Sequence, residues 1–255
     1  MWRALLKQFL LNSVPMLLLL NLAGCISTGT TQRTEDVKMH DSGVFFPFLR
    51  LTHDLSDATG TESDNNKSRL AVELNVDYAS GSGSQSIPSS QFINYGGSHF
   101  NGPAEIKGRG DLYIASFLVR RRFNNSTNLY GLDLLGGASF QRFNLKLNSD
   151  GISADDGKIT GGPMIGVQFS VRPYAWAEIY TSANGGLGFG ETYSSLGWVE
   201  FGISIKPRPH WAIMGGYRSL NYSQGSQNSS SDGGANVADV SLILSGPVVG
   251  LQLDF

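Results

Sequence analysis

The histidines of this 255-residue chain are the first candidates for chemistry, because imidazole acts as a metal ligand and as a general acid or base. The chain has four: His40, His53, His99 and His210. None has a second histidine, a cysteine or a carboxylate at the spacing of a metal site. His99 follows Ser98, with Glu105 nearby in sequence, but a nucleophile and its base require spatial contact. No G-x-S-x-G nucleophile elbow occurs. We therefore expect a non-enzymatic protein with no catalytic residue, metal or cofactor.

Carboxylates and arginines recur at alternate positions within apolar segments. Between Arg69 and Ala79 the even-numbered residues are apolar, while the odd-numbered residues include Glu73 and Asp77. A period of two indicates a β-strand with two different faces. Later segments repeat the pattern, and together they predict one ionic face: Glu73, Asp77, Asp133, Arg172, Glu178, Glu200 and Arg218. Inside a narrow barrel these ions could pair with one another as a closed core, whereas a channel is the alternative.

Eight such strands are predicted, and the connections between them alternate in length. Long connections are expected at 80–107, 146–158, 185–194 and 223–236, and short turns after the second, fourth and sixth strands. This alternation is typical of an up-and-down membrane barrel with short periplasmic turns and long external loops. In the last strand the apolar positions change from even to odd numbers near Pro247, which predicts a one-residue bulge.

The apolar faces are expected to contact lipid. Charged residues make up 16% of the chain, below the roughly 25% of an average soluble domain, and the net charge of -2 does not favour nucleic acid. Aromatic residues near strand ends predict two interfacial girdles: Phe123, Tyr130, Trp211 and Phe255 on the short-turn side, and Tyr78, Tyr113 and Tyr193 on the loop side. The fold class is therefore all-β, an eight-stranded antiparallel up-and-down transmembrane β-barrel over residues 68–255. A soluble periplasmic barrel with an apolar interior is the alternative.

The N-terminal segment has the pattern of a processing signal. Arg3 and Lys7 precede an apolar stretch that ends in Leu22-Ala23-Gly24-Cys25. This tetrapeptide resembles the lipobox of bacterial lipoproteins. The resemblance implies a signal peptide at 1–24, acylation of Cys25, for example with palmitate, and contact with lipoprotein-sorting machinery. Ile26 in place of Asp implies the outer membrane. Residues 25–67 are then a lipidated periplasmic tether, and both chain ends would face the periplasm, which requires an even number of strands.

The C-terminal segment Val248–Phe255 is apolar at alternate positions and ends in an aromatic residue. It resembles the closing strand of outer-membrane barrels, and with Gly216-Tyr217-Arg218 it is similar to the eight-stranded families of the OmpA, OmpX and YfaZ kind. The resemblance implies that Phe255 belongs to an insertion signal for the barrel-insertion machinery.

These features predict a lipid-anchored protein of the bacterial outer membrane with a structural or surface-interaction role. A surface ligand is expected at loop 80–107, which contains Phe92, Tyr95, His99 and Phe100 among small polar residues. One alternative is a lipid-modifying barrel enzyme. Another is an accessory lipoprotein of an export complex that binds through Phe45, Phe46 and Phe48, in a segment (44–51) that could be a strand, an interfacial patch or a plug. The run at 120–122 is interpreted as arginines that snorkel at the membrane interface. Contact with lipid phosphates or with a periplasmic partner is the alternative.

Overall fold

The computed structural model describes residues 37–55, 69–89, 91–124, 129–225 and 239–255. The predicted signal peptide and Cys25 lie outside the described residues. Over the described ranges the secondary structure consists of β-strands, as the all-β prediction requires. No helix in these ranges is long and apolar enough to cross a membrane.

The described part of the chain contains twelve strands. They are β1 (Val37–Ser42), β2 (Phe46–Asp54), β3 (Arg69–Ile87), β4 (Phe92–Tyr95), β5 (Ser98–Asn101), β6 (Ala104–Asn124), β7 (Tyr130–Ser149), β8 (Ile152–Tyr174), β9 (Ala177–Gly190), β10 (Tyr193–Arg208), β11 (Trp211–Gly225) and β12 (Val240–Asp254). Strands β4 and β5 form a separate hairpin, and the other ten strands form one sheet.

The large sheet closes into a ring of nine strand positions instead of the predicted eight. Each strand from β3 through β6 to β12 pairs antiparallel with the next. Strand β2 closes the ring, because it pairs antiparallel with β3 and parallel with β12. Strand β1 continues the line of β2 along the first half of β12. The segment interpreted as a tether therefore supplies the ninth strand, and residues 44–51, whose structure the sequence left open, belong largely to β2.

A β-bulge separates β1 from β2. Ser42 pairs with Ser245 and Phe46 with Val248, so the N-terminal strand has one extra residue at this point. Gly43 has a φ of 100°, and the N–H groups of Gly43 and Val44 both donate to the carbonyl of Ser245, at 2.7 and 3.1 Å. This break in the period of two is the reason that the strand was not predicted.

The bulge predicted near Pro247 is absent from β12. The β11–β12 register runs unbroken from Trp211 opposite Leu253 to Gln224 opposite Val240. Even-numbered residues of β12 face the interior along its whole length, so Leu242 is buried and Leu251 is exposed on the outside. The change of apolar phase therefore marks a change in which face of the strand is apolar.

The same inversion occurs in the neighbouring strands and divides the ring into two levels. On β7 the outward residues of the lower level are apolar and the inward ones polar: Leu132, Leu134 and Phe140 outside, Asp133, Ser139 and Gln141 inside. In the upper level the polarity is reversed: Arg142, Asn144 and Lys146 outside, Phe143, Leu145 and Leu147 inside. The lower level thus has an apolar exterior, whereas the upper level has the apolar core of a soluble barrel.

The β4–β5 hairpin packs at the upper end of the ring, here called the hairpin end. Ile93, Tyr95 and Phe100 are buried in the same core as Leu147. The Tyr95 hydroxyl donates to the carbonyl of Asp156 at 3.3 Å. Burial raises the pKa of this phenol well above its usual range, and the nearby Asp156 and Asp155 carboxylates act in the same direction, so the hydroxyl keeps its proton.

Three of the predicted long connections are largely strand. Residues 80–87 and 104–107 extend β3 and β6, and the glycines of the Ser-Gly run face inward, where Gly83 packs against Met39. Strands β7 and β8 meet in a two-residue turn at Asp150-Gly151, whose positive φ values of 45° and 83° suit a tight hairpin. Residues 191–192 join β9 and β10 as tightly. Loss of the outward apolar pattern in the upper level explains why these segments were predicted to be loops.

The two ends of the described chain lie at opposite ends of the ring. Val37 pairs with Val240 at the hairpin end. At the other end, here called the turn end, the Phe255 N–H donates to the Thr52 carbonyl at 3.1 Å. The expectation that both chain ends share one side is therefore wrong for the chain from residue 37 onwards. The chain runs nine times between the hairpin end and the turn end, and an odd number places its two ends on opposite sides.

Candidate functional site: a closed ion-paired interior

The lower level of the ring contains a dense set of ions on its inward face. The seven residues of the predicted ionic face, Glu73, Asp77, Asp133, Arg172, Glu178, Glu200 and Arg218, all point into this space. The structure adds three arginines that the sequence analysis did not assign to the interior: Arg50, Arg120 and Arg122. The set is positioned by strands β2, β3 and β6 to β11. Successive side chains of a strand point to opposite faces, so every second side chain faces inward.

Arg218 on β11 is the centre of one cluster. Its Nε and Nη2 atoms donate to Glu200 Oε2 at 2.8 and 2.6 Å, and Nη1 donates to Asp77 Oδ1 at 2.7 Å. Tyr180 donates its hydroxyl to the other oxygen of Glu200 at 2.5 Å. The guanidinium also lies 5.4 Å from the ring centroid of Trp198. This geometry compensates a buried cation on several sides, as its 2% exposure requires.

The aromatic rings around Arg218 include two from the closing strand. Its guanidinium carbon lies 5.7 Å from the ring centroids of Phe46 and of Phe48. Both rings are buried inside the ring of strands, whereas Phe45 faces outward and is 54% exposed. Phe46 and Phe48 are thus unavailable to a partner in this state, unlike the expectation for an export complex.

A second cluster occupies the part of the interior nearer the turn end. Arg122 donates to both oxygens of Asp133, at 2.6 and 2.5 Å. Arg120 forms an ion pair with Glu73, and its Nη1 lies 3.5 Å from Asp133 Oδ2. Glu178 continues the network, because its carboxylate lies 3.6 Å from Arg122 and 2.7 Å from Arg172.

The arginine run at 120–122 is divided between two environments. Arg120 and Arg122 point inward, whereas Arg121 points outward and stacks 5.1 Å from the Phe123 ring centroid. The interpretation of the whole run as interfacial is therefore wrong for Arg120 and Arg122. The period of two in β6 was the signal that could have separated them.

Positive and negative charges balance in the interior. Five arginines, at 50, 120, 122, 172 and 218, face five carboxylates, at 73, 77, 133, 178 and 200. At the turn end, Lys206 and Asp254 form a further pair at 3.0 Å. Because an unpaired charge in such an interior costs several kcal/mol, the balance indicates that these ions compensate one another.

The cavity described among the interior ions is small. A cavity of about 20 Å³ lies among Arg50, Asn75, Asn184 and Trp198, enough for about one water molecule. Arg50 Nη1 is buried and has no hydrogen-bond partner among the described residues. Above this level the apolar side chains of Leu112, Phe143, Leu242 and Leu244 fill the ring.

Catalytic groupings are not found within the described ranges. Thr160, Ser194 and Gln141 form a buried hydrogen-bonded chain at 2.7 and 3.1 Å, without a base among them. His53 Nδ1 contacts the Phe255 carbonyl, and His99 Nδ1 contacts Asn94 Oδ1. Nowhere in the described part do three histidine, cysteine or carboxylate side chains gather as a metal site.

The outward face of the lower level is a continuous apolar belt with aromatic residues at both edges. Near the hairpin end, Tyr78 and Tyr113 pack at 4.8 Å and Phe189 and Tyr193 at 5.9 Å between ring centroids. Near the turn end, Tyr130 packs against Phe169 at 6.4 Å. The other predicted girdle residues of the turn end, Phe123, Trp211 and Phe255, lie at strand ends on the same side.

The predicted contact loop supplies a smaller exposed surface than expected. Tyr95 and Phe100 are buried, whereas Phe92 and His99 stack on the exposed face of the hairpin, 4.8 Å apart.

Comparisons with models of protein families, with curated proteins and with solved structures find no match to this chain.

Proposed function

We propose that the chain is a non-enzymatic β-barrel lipoprotein of the bacterial outer membrane, anchored through Cys25, with a structural or surface-interaction role at its hairpin end. The observation that supports this proposal is the inversion of polarity between the two levels. An apolar exterior around an ionic interior suits lipid, and a polar exterior around an apolar core suits water. A strand that passes from lipid into water is therefore expected to change from the first arrangement to the second along its length.

The height of the apolar belt fits this proposal. On β7 the belt runs from Tyr130 to Phe140. A strand of that length, rising ~3.3 Å per residue and tilted by ~40°, spans roughly 25 Å. Outer-membrane barrels have an apolar band of about 25 Å, and transmembrane strands of about 9–11 residues.

The filled interior favours a structural or binding role over transport. Paired ions occupy the lower level, around a cavity with room for about one water molecule, and apolar side chains fill the upper level. Within the predicted ligand loop 80–107, the side chains of Phe92 and His99 are exposed on the hairpin and available for contact. The surface ligand remains a proposal for this end of the molecule.

Electrophoretic mobility of the membrane fraction tests the membrane assignment. We expect a faster band without boiling than with boiling, and retention in the membrane pellet after washing with urea. Release into detergent-free buffer without a shift would instead favour a soluble periplasmic barrel. Cys25→Ser should abolish incorporation of labelled palmitate, with Ser27→Ala as the matched control.

The surface role requires a separate test. Replacement of Phe92 and His99 by serine should leave the mobility shift intact, because both side chains are exposed. If adhesion of cells to host or environmental surfaces is unchanged in that variant, the hairpin is not the contact surface.

A further inference from the structure

Arg142 stands out at the upper edge of the apolar belt. It is exposed on the outward face of β7, between Phe140 and Asn144. Its cross-strand neighbours are Tyr113 on β6 and Ile159 on β8. None of the ion pairs among the described residues includes Arg142. An anion from outside the described chain can therefore approach this guanidinium.

Further cations continue upward from Arg142 on the same two strands. Arg109 on β6 lies directly opposite Lys146 on β7, and Lys107 lies one outward position above Arg109. Like charges directly opposite one another destabilise a strand pair unless an anion lies near them. We call Lys107, Arg109, Arg142 and Lys146 the β6–β7 cationic column.

Of the carboxylates near this face, only Asp111 lies within ion-pair distance of the column. Asp111 accepts a hydrogen bond from Tyr78 at 2.9 Å and lies 3.9 Å from Arg109. Asp155 is opposite Lys146, and Glu105 lies next along β6, but no ion pair joins either carboxylate to the column within the described ranges. Lys107, Arg142 and Lys146 thus have no carboxylate within ion-pair distance among the described residues.

The adjacent strand β3 and the more distant strand β11 carry no outward charge at this level. The outward residues of upper β3 are Ser80, Ser82, Ser84 and Ser86. Those of upper β11 are Ser219, Asn221 and Ser223. Solubility is met on these two strands without charge, so the clustering of four cations on β6 and β7 favours a local anionic ligand.

We propose that the column binds a phosphate-bearing headgroup of a lipid in the leaflet at the hairpin end, with Arg142 at the level of the phosphate. The inference rests on the proposed membrane location. Arginine suits this role, because its planar guanidinium can donate two parallel hydrogen bonds to a phosphate. The belt directly below Arg142 would hold the acyl chains, and the remaining cations would contact further anionic groups of the headgroup.

Lipid binding to the purified full chain in an uncharged detergent tests this inference. Phosphatidylglycerol is titrated against the protein and the bound complexes are counted by native mass spectrometry. Arg142→Gln with Lys146→Gln should weaken binding at least tenfold, since each cation near a lipid surface contributes about a fivefold effect. Lys38→Gln, an exposed cation on β1 away from the column, is the matched control and should bind as the unchanged chain does.

Two competitors identify the source of the phosphate. Phosphatidylcholine, whose ammonium group neutralises its phosphate, should bind less tightly than phosphatidylglycerol. Millimolar inorganic phosphate should not displace the lipid, and displacement would assign the column to a soluble anion instead. Equal lipid binding by the double variant and the control, with the mobility shift of both intact, would overturn the inference alone. A wild-type chain that is released without detergent and shows no shift would overturn the membrane location itself.

Discussion

Arg218 is the most stringent test of the interior. Arg218→Gln removes the cation that donates to Glu200 Oε2 and Asp77 Oδ1 at 2.6–2.8 Å, and leaves both carboxylates in place. Asp77 is 4% exposed and Glu200 is 2% exposed, so bulk water does not reach the two carboxylates that lose their partner. Breaking a buried ion pair from one side costs about 3–5 kcal/mol. We expect a loss of that size in the free energy of unfolding.

The matched variant removes the same interactions without leaving a charge. In Arg218→Gln/Asp77→Asn/Glu200→Gln all three groups are neutral and can still form hydrogen bonds. Replacing a whole buried ionic group by uncharged residues often changes the free energy of unfolding little. We therefore expect this variant to recover most of the lost stability.

Urea unfolding of the barrel in lipid vesicles, followed by the loss of the unboiled band, measures both variants. With a dependence of about 3 kcal/mol per molar urea, the single variant should lower the midpoint by roughly 1–2 M. The triple variant should lie close to the unchanged chain. A single variant as stable as the triple variant would refute a buried, mutually compensated network.

Three further outcomes are expected. Ile165→Arg, in the middle of the belt, should destabilise the membrane-inserted barrel by about 2–4 kcal/mol, whereas Asn221→Arg in the upper level should change it by less than about 0.5 kcal/mol, in the same urea assay. Gly246→Ala would place a Cβ 1.9 Å from the Val44 carbonyl oxygen and should increase proteolysis within residues 37–54, while Gly136→Ala, with no atom within 4 Å of its Cβ, should not. Planar bilayers containing the purified protein should show no stepwise conductance, and a stable open level would contradict the filled interior.

The alternation of apolar and polar residues was sufficient to predict the strands where the outward face is apolar. It was insufficient in the upper level, where the outward face becomes polar. Glu73 and Asp77 alternate with apolar residues throughout lower β3, so strand and inward face follow directly from the sequence. In upper β3 the alternation is between serine and glycine, which has no hydrophobic period to detect. The strand continues there because its glycines leave space for Met39 and Leu244.

The missing part of the ionic interior has a physical explanation of the same kind. Arg120 and Arg122 lie beside Arg121 in the chain, and three adjacent cations suggest one surface unless the pleat of β6 separates them. Arg50 lies in β2, whose apolar phase is displaced by the Gly43 bulge. Its position depends on parallel pairing with β12, a long-range contact for which no local sequence pattern exists.

Parallel closure of the ring also determines the side on which each chain terminus is accessible. The strand formed by β1 and β2 descends from the hairpin end beside β12, so the two run in the same direction. Cys25 precedes Val37 by about 12 residues, which extend to at most roughly 40 Å. In the proposed membrane location, the chain therefore enters the described structure at the hairpin end and leaves it beside Phe255, on the opposite side. An epitope ahead of residue 37 and one after residue 255 would therefore be labelled from opposite faces of an intact membrane.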